Sequence, residues 1–295
     1  MTVLAYTAMT VALCLVLEPS ARDAAISAAF GALVGTILLV TRGRPALTPL
    51  VPILSATVVS ALAFEAVQHG FADPGLRALI APLVTFLPGS VLTSATVELA
   101  SGEMVAGASR LVFGGVQMLL LAFGIVAGAE LAGLPSESVL DDEAAALLGW
   151  WAPWLGVVAF GIAAGVYFSA PRRALRWLLV VVIAAWIGQV AGERMFGGEV
   201  SGFFGALLMT PIALAVARLP GGPPSQVTFL PAFWLLVPGA LGLIGVTEVV
   251  GNPAEADIDD LVQPLGSIVA IALGVLCGVS VFRGLVAAPG RLRRR

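Results

Sequence analysis

Ten long apolar runs, which follow one another from end to end of this 295-residue sequence, decide what kind of fold the chain can adopt. A helix needs about 20 apolar residues to cross a hydrocarbon core about 30 Å thick. Hydrophobic residues make up 59% of the sequence, whereas soluble domains are typically about 45 to 50% apolar. The sequence therefore predicts an all-α, polytopic membrane protein of about ten transmembrane helices. The predicted spans are residues 3–17, 24–41, 47–67, 76–97, 105–131, 146–168, 174–191, 200–217, 228–250 and 264–286.

A proline–glycine pair interrupts two of these runs, at Pro88-Gly89 and at Pro238-Gly239, and a glutamate follows ten residues after each proline. The two pairs are 150 residues apart, and the glutamates and several small residues recur at the same offset. The matching positions are Glu98 with Glu248, Ala122 with Ala272, Gly124 with Gly274 and Gly128 with Gly278. Self-similarity at a fixed offset predicts two copies of one structural unit.

Each copy contains five predicted spans, which places the second copy in the membrane upside down relative to the first. The predicted domains are a first repeat at 1–134, an acidic external linker at 135–145, and a second repeat with a basic cytoplasmic tail at 146–295. Arg110 in the first repeat corresponds to Asp260 in the second, as expected when a cytoplasmic position becomes an external one. Inverted repeats with broken helices are typical of secondary transporters, which hold substrate near the bilayer midplane where the repeats meet.

The placement of arginine predicts the orientation of the chain. All fifteen basic residues are arginines. If the N-terminus and every second connection lie on one side of the membrane, twelve arginines lie on that side and most acidic residues lie on the other. By the positive-inside rule, the arginine-rich side is cytoplasmic. The sequence therefore predicts a multi-pass protein of the inner (plasma) membrane with both termini in the cytoplasm.

The two proline–glycine pairs are the predicted substrate site. Proline lacks an N–H group and crowds the carbonyl four residues back, so the carbonyls of Val84 and Trp234 are expected to lose their helical partners. If the helix restarts after the break, the amides of its first turn, beginning at Gly89 or Gly239, favour an anion such as a carboxylate. Freed carbonyls on the other side suit an ammonium group. A zwitterionic amino acid fits this arrangement, a carboxylate alone also fits, and a simple proline kink is the structural alternative.

Polar side chains within the spans are few. Ser90, Thr93 and Ser94 line up at helical spacing after the first break, where they either face a substrate pathway or bond to carbonyls one turn back. Gln117 and Gln189 lie within the fifth and seventh spans. Each either lines the site or joins two helices.

Glu98 and Arg110 form a predicted pair at the edge of the membrane. Glu98 lies roughly 15 Å along a helix from Pro88, so it should reach the cytoplasmic surface and pair with Arg110 across a short loop. A role in carrying protons, for coupling or gating, is the alternative. The spans contain no carboxylate near the midplane, which argues against a buried proton relay.

No residue cluster in the sequence indicates enzyme or cofactor chemistry. Cys14 and Cys277 lie inside apolar runs, and the single histidine, His69, has no Cys or His nearby. The cysteines are therefore expected to pack, and no metal or other cofactor is predicted. No Ser/His/Asp set or carboxylate pair is present in the spans. The expected partners are a small-molecule substrate and the lipid bilayer, without nucleic acid.

The stretch from Phe86 to Leu111 resembles the signature of the threonine/serine exporter family. It contains Pro88-Gly89, then Glu98, a Gly102-Glu103 turn, and Gly107-x-x-Arg110 at the entry to the next helix. The run that ends at Pro238-Gly239 resembles the companion second domain of that family. This resemblance, which covers nearly the whole chain, implies export of threonine and serine driven by the proton motive force through ten helices. Family members usually carry a cytoplasmic region before the first span, which this sequence is expected to lack, and have aspartate where Glu98 stands.

The leading functional hypothesis is a secondary exporter of small hydroxy amino acids. Relatives of the family that are split over two chains resemble dicarboxylate exporters, so a dicarboxylate exporter is the first alternative. A membrane scaffold that transports nothing is the second alternative. A duplicated helix break favours transport, since a scaffold would not need one.

Overall fold

The computed structural model describes residues 2–17, 20–71, 77–133, 148–236, 243, 246–247 and 259–292. Within these residues all regular secondary structure is helical, which confirms the predicted all-α class. The helices are α1 (Thr2–Val16), α2 (Ala21–Thr41), α3 (Val51–Gln68), α4 (Arg77–Leu83), α5 (Gly89–Ala100), α6 (Met104–Leu131), α7 (Ala152–Tyr167), α8 (Arg172–Phe196), α9 (Ser201–Arg218), α10 (Ser225–Leu235) and α11 (Asp259–Leu292), with 3₁₀ turns at Val84–Phe86 and Gly198–Val200.

Six of these helices are long and apolar enough to cross a bilayer, namely α2, α3, α6, α8, α9 and α11. Counting α4, its 3₁₀ turn and α5 as one bent span gives a seventh. Helices α1 and α7 are apolar but have 15 and 16 residues, fewer than the roughly 20 that span a bilayer without distortion. Large apolar side chains such as Phe113 and Phe123 are 61% exposed, as expected for helices that face lipid. The chain is therefore a multi-pass membrane protein, and the count of ten spans stays a prediction.

Local sequence explains where the helices begin. Ser20 caps α2, because its hydroxyl accepts a hydrogen bond from the Asp23 amide at 3.1 Å, while the Asp23 carboxylate accepts one from the Ser20 amide at 2.9 Å. This reciprocal capping box satisfies two amides that the helix itself cannot bond. Pro52 and Pro153 stand in the first turns of α3 and α7, where a missing N–H costs nothing.

The fourth predicted span is interrupted at its proline–glycine pair. Helix α4 runs into the 3₁₀ turn at Val84–Phe86, and α5 begins at Gly89. The helix axes on the two sides of the break differ in direction by 50°. The helix break predicted at Pro88 is therefore present.

Two compact units make up the chain, and each draws residues from both halves of the sequence. Unit 1 consists of Met1–Pro88, Phe113–Ser169 and Gly239–Pro264, and unit 2 of Gly89–Val112, Ala170–Pro238 and Leu265–Arg295. In unit 1, α1 packs against α2 and α7, and α2 packs against α4. In unit 2, α8 packs against α9 and α10. The two predicted repeats divide the chain by sequence, and they stay a prediction. The predicted linker at 135–145 lies outside the described residues.

Two glycines let α6 approach α3 closely in unit 1. A Cβ atom on Gly124 would lie 2.9 Å from the Ala56 Cβ and 2.9 Å from the Ile53 carbonyl oxygen. A Cβ atom on Gly128 would overlap the Ser60 hydroxyl. Only glycine fits at these two positions, as in close helix pairs of the small-x-x-x-small type.

Helices α9 and α11 make the matching contact in unit 2. A Cβ atom on Gly274 would lie 2.8 Å from the Ala206 Cβ and would collide with the Phe203 carbonyl oxygen. A Cβ atom on Gly278 would lie 2.8 Å from the Thr210 Cβ. Each of these five residues follows its counterpart in unit 1 by 150 positions.

The hydroxyl groups at this contact match as well. Ser60 in α3 and Thr210 in α9, which are 150 positions apart, each donate a hydrogen bond of 2.7 Å to the carbonyl four residues back in their own helix. The agreement therefore extends from the glycines to the polar groups that they face.

Candidate functional site

The candidate site is the break in the fourth span. Of the predicted site residues, Val84 and Pro88 lie before the break, and Gln117 lies on α6 within the same unit. The predicted residues of α5 are Gly89, Ser90, Thr93 and Ser94, those at the second break are Trp234, Pro238 and Gly239, and Glu98 and Arg110 form the predicted edge pair.

The carbonyl of Val84 keeps a hydrogen-bond partner despite the proline. Pro88 has no N–H to offer it, as predicted, but the Leu87 amide donates to it at 3.2 Å in the 3₁₀ turn. A 3₁₀ turn pairs each amide with the carbonyl three residues back instead of four. The Val84 carbonyl thus accepts from the amide three residues later, and not from the one four residues later.

Tyr6 of α1 binds the chain just before the break and was not predicted as a site residue. Its hydroxyl donates to the Pro82 carbonyl at 2.6 Å and lies 2.8 Å from the Thr85 hydroxyl. Tyr6 is fully buried, and its ring meets that of Tyr167 edge-on at 5.6 Å between centroids. A tyrosine in an apolar run needs a partner for its hydroxyl, which was the available signal. The partner, 76 residues away, could not be read from the sequence.

Gln117 of α6 also forms a hydrogen bond with the segment just before the break. Its amide nitrogen donates to the Phe86 carbonyl at 2.7 Å. The residue stood as either a site residue or a link between helices, and this bond shows that it links α6 to the broken span. Because a carbonyl only accepts, the nitrogen of Gln117 must face Phe86, which leaves its oxygen as an acceptor.

Helix α5 begins directly after the proline. Its first residue, Gly89, is buried and Ser90 is half-buried. The first amides of a helix have no partner within it, so the amides of Gly89, Ser90 and Val91 provide donors on this side of the break. These amides form the positive end of the helix dipole, which favours an anion.

Thr93 is a buried polar residue on α5, with 3% of its surface exposed. Its hydroxyl has no hydrogen-bond partner among the described residues, whereas the Thr96 hydroxyl one turn on bonds to the Leu92 carbonyl at 3.0 Å. Bonding back along the helix, the structural alternative for these hydroxyls, therefore occurs at Thr96 but not at Thr93. Ser94 is exposed.

A tight turn after α5 brings the start of α6 back against it. The Glu103 amide donates to the Glu98 carbonyl at 2.9 Å and the Gly102 amide to the Leu99 carbonyl at 3.1 Å. This pair of bonds is a Schellman motif, which requires a left-handed residue, and Gly102 has a φ of 87°. A Cβ atom on Gly107 would lie 2.7 Å from Leu99, so glycine permits the close return.

The predicted ion pair between Glu98 and Arg110 is present at the end of this hairpin. The Arg110 Nε atom lies 3.0 Å from Glu98 Oε1. The second carboxylate oxygen of Glu98 is buried and has no hydrogen-bond partner among the described residues. The Gly102 turn and Gly107 thus explain why the signature places an arginine twelve residues after the glutamate.

The second break lies largely outside the described residues. Trp234, at the end of α10, is half-buried, and Leu235 and Leu236 after it are buried. Pro238 and Gly239 are not among the described residues. Gln189 of α8 is described, and its side-chain oxygen is buried without a hydrogen-bond partner in the described part of the chain.

In the described part of the chain, no group of three or more His, Cys, Asp and Glu side chains is placed to hold a metal ion.

A family model described as "Putative threonine/serine exporter" matches residues 1–132. The resemblance carried by Pro88-Gly89, Glu98 and the Gly107-x-x-Arg110 stretch is thereby confirmed for this part of the chain. Residues 1–132 are therefore similar to a family described as exporters.

Three fungal proteins are similar over a longer stretch, all of them described as pheromone-regulated membrane protein 10. The protein of Debaryomyces hansenii is 26% identical over 229 residues, covering 70% of this chain and 22% of that protein. The protein of Kluyveromyces lactis is 22% identical over 210 residues, covering 68% and 22%. The protein of Pichia sorbitophila is 26% identical over 180 residues, covering 59% and 18%. The chain thus spans about a fifth of the length of these relatives. No solved structure matches the chain.

Proposed function

We propose that this chain is the membrane part of a secondary transporter that exports small hydroxy amino acids, threonine and serine, in exchange for protons that enter along the proton motive force. The match of residues 1–132 to the threonine/serine exporter family supports the transporter class. The helix break at Pro88 is the observation that carries the proposal, because the first amides of α5, which have no partner within that helix, follow it inside a bent span where a polar solute can bind.

Each unit, taken by itself, offers groups that suit part of an amino acid. In unit 1, Gln117 of α6 donates an N–H to the Phe86 carbonyl and keeps its oxygen as an acceptor, which suits an ammonium group. After the break, the first amides of α5 suit a carboxylate. The buried Thr93 hydroxyl has no partner among the described residues, so it can bond a hydroxyl or carboxylate without losing another bond.

The proposed substrate site includes the residues predicted from the sequence. They are Val84, Pro88, Gly89, Ser90, Thr93, Ser94 and Gln117 at the first break and Trp234, Pro238 and Gly239 at the second. Glu98 and Arg110 are proposed to couple or gate transport, since their ion pair lies at the end of the same helix α5.

The proposed architecture is ten spans in two inverted five-helix repeats, with both termini in the cytoplasm and the protein in the inner (plasma) membrane. The matching glycine contacts of α6 with α3 and of α11 with α9 support the repeat, since five residues agree in position at an offset of 150. Helices α3 and α9 also begin and end 150 residues apart.

Counterflow in liposomes that contain the purified protein tests the proposal. Liposomes loaded with unlabelled threonine should take up labelled threonine and serine, and an imposed pH gradient should drive net movement. Replacing the break by Pro88→Ala with Gly89→Leu should lower the rate at least about tenfold, since several bonds to the substrate are lost together. Gly115→Ala on α6 is the matched control, because nothing lies within 4 Å of its new methyl group.

The outcomes separate the alternatives. A wild-type rate in the Pro88/Gly89 variant would contradict the site. Counterflow of succinate without threonine would identify a dicarboxylate exporter. If neither solute moves in liposomes that hold folded protein, the transport function proposed here is wrong.

A further inference from the structure

Thr85 stands three residues before Pro88, and its hydroxyl lies in a chain of two hydrogen bonds. Tyr6 donates to the Pro82 carbonyl at 2.6 Å, and the Tyr6 and Thr85 hydroxyl oxygens lie 2.8 Å apart. A tyrosine hydroxyl has one proton, and a carbonyl can only accept. The proton of Tyr6 therefore lies between Tyr6 and Pro82, and Thr85 must donate its own proton to Tyr6.

Burial enforces this direction. Tyr6 is fully buried and Pro82 is buried, so water is not available to replace either bond. The 3₁₀ turn at Val84–Phe86 removes the α-helical donor that the Pro82 carbonyl would otherwise have. A buried carbonyl without a donor is costly, which keeps the Tyr6 proton in place.

Thr85 is thereby left as an acceptor. Its one proton is used on Tyr6, so only the lone pairs of its oxygen remain for another group. Unlike Tyr6, Thr85 is half-buried, so the residue is not fully enclosed by protein. The neighbouring Phe86 carbonyl orients Gln117, whose amide nitrogen donates one of its two N–H groups to that carbonyl.

We propose that Thr85 binds the ammonium group of the substrate and that Tyr6 is the positioning residue that fixes Thr85 as an acceptor. This inference rests on the proposed transport of amino acids, to which it adds a residue and a reason for selectivity. An ammonium group has three protons to donate, whereas a second carboxylate has none and would face the acceptor oxygen of Thr85. The Thr85 side of the break therefore selects amino acids over dicarboxylates.

Binding of threonine and of 3-hydroxybutyrate, which has the carboxylate and hydroxyl but no ammonium group, tests this assignment. Isothermal titration with purified protein should show threonine binding at least about tenfold more tightly than 3-hydroxybutyrate. Thr85→Val should weaken threonine binding about tenfold and leave 3-hydroxybutyrate unchanged, because only the ammonium contact is lost. Thr85→Ser keeps the hydroxyl and should retain wild-type affinity.

Tyr6→Phe keeps the buried ring and removes only the hydroxyl. It should weaken threonine binding about threefold, again without changing 3-hydroxybutyrate, because Thr85 loses its fixed direction. Two matched controls remove similar hydroxyls elsewhere. Thr96→Val removes a hydroxyl that bonds within α5, and Tyr167→Phe keeps the ring that Tyr6 contacts. Neither should alter the preference for threonine, and melting temperatures identify any variant that fails to fold.

Counterflow on the same preparations separates failure of this inference from failure of the proposed function. Threonine counterflow with unchanged affinity in folded Thr85→Val would overturn the role of Thr85 and leave the exporter intact. Binding with the expected dependence on ammonium and Thr85, but without counterflow, would support the site and overturn the transport function. Equal binding of threonine and 3-hydroxybutyrate, or binding of neither, would overturn the inference.

Discussion

The helix pairs α3–α6 in unit 1 and α9–α11 in unit 2 meet through glycines 150 positions apart, and the atoms that these glycines approach match as well. The helix pairs bury these contacts in the same way although their other side chains differ. The close approach of the two backbones leaves no room for a side chain larger than hydrogen. Both helix pairs therefore require glycine at the same two positions.

The side chains around the first break behave differently. The positions 150 residues after Tyr6, Thr85 and Thr93 hold Gly156, Leu235 and Leu243. Leu235 and Leu243 are buried, and Gly156 packs on α1, where a Cβ atom would lie 2.7 Å from the Ala12 carbonyl oxygen. Among the described residues, the two halves therefore share their close glycine contacts, whereas the hydroxyls of Tyr6, Thr85 and Thr93 have no hydroxyl at the corresponding positions of the second half.

The largest expected effect comes from replacing the close-contact glycines that both helix pairs share. Gly128→Val and Gly278→Val should each lower the free energy of unfolding by about 3 kcal/mol, because new methyl groups collide with α3 or α9. Thermal melting followed by size-exclusion chromatography measures this loss. Gly115→Ala and Gly266→Ala, on the same two helices with nothing within 4 Å, are the matched controls. A large loss at only one of the two valine variants would contradict equivalent packing.

Removing the amide of Gln117 should have a smaller effect, confined to the first half. Gln117→Leu leaves the Phe86 carbonyl without its donor, which should cost about 2 kcal/mol of stability. Gln117→Glu serves as a comparison, since a glutamate that takes up a proton can restore the donor. Melting at pH 5 and pH 8 should show Gln117→Glu closer to wild type at the lower pH. Equal melting of Gln117→Leu and wild type would show that the bond contributes nothing.

The smallest effect on folding is expected from Thr93→Val, which makes this position apolar, as the corresponding Leu243 is. The Thr93 hydroxyl has no partner among the described residues, so replacing it by a methyl group should change the melting temperature little or raise it. Threonine counterflow should nevertheless fall several-fold if this hydroxyl contacts substrate. Thr96→Val, which removes an intrahelical bond, provides the control, and unchanged counterflow in Thr93→Val would remove Thr93 from the site.

The positions of the helices follow closely from the apolar runs. The third span was predicted at 47–67, and α3 runs from Val51 to Gln68. The difference arises because apolar residues of the preceding turn extend the run, and hydropathy does not distinguish a turn from a helix. The break at Pro88 was predicted because proline removes a specific donor, and that chemistry does not depend on the surrounding fold.

The partners of the broken chain could not be predicted. Nothing in the sequence indicates that Tyr6, in the first helix, meets Pro82, since that contact depends on how α1 packs in unit 1. Gln117 was predicted either to line the site or to join two helices, but not to donate to the Phe86 carbonyl. Glu98 and Arg110 were paired correctly because only a short turn separates their helices.

The packing of α1 against α7 has a consequence for biosynthesis. Gly156 of α7 meets Ala12 of α1 across nearly 150 residues of sequence, so α1 is synthesised well before its partner. At about 5 to 20 residues per second, the delay is roughly 7 to 30 s. During that time the face of α1 around Ala12 lacks its partner helix and is open to an insertion chaperone. A ribosome-bound chain that ends before α7 should therefore crosslink to such a factor through α1, and a longer chain that includes α7 should release it.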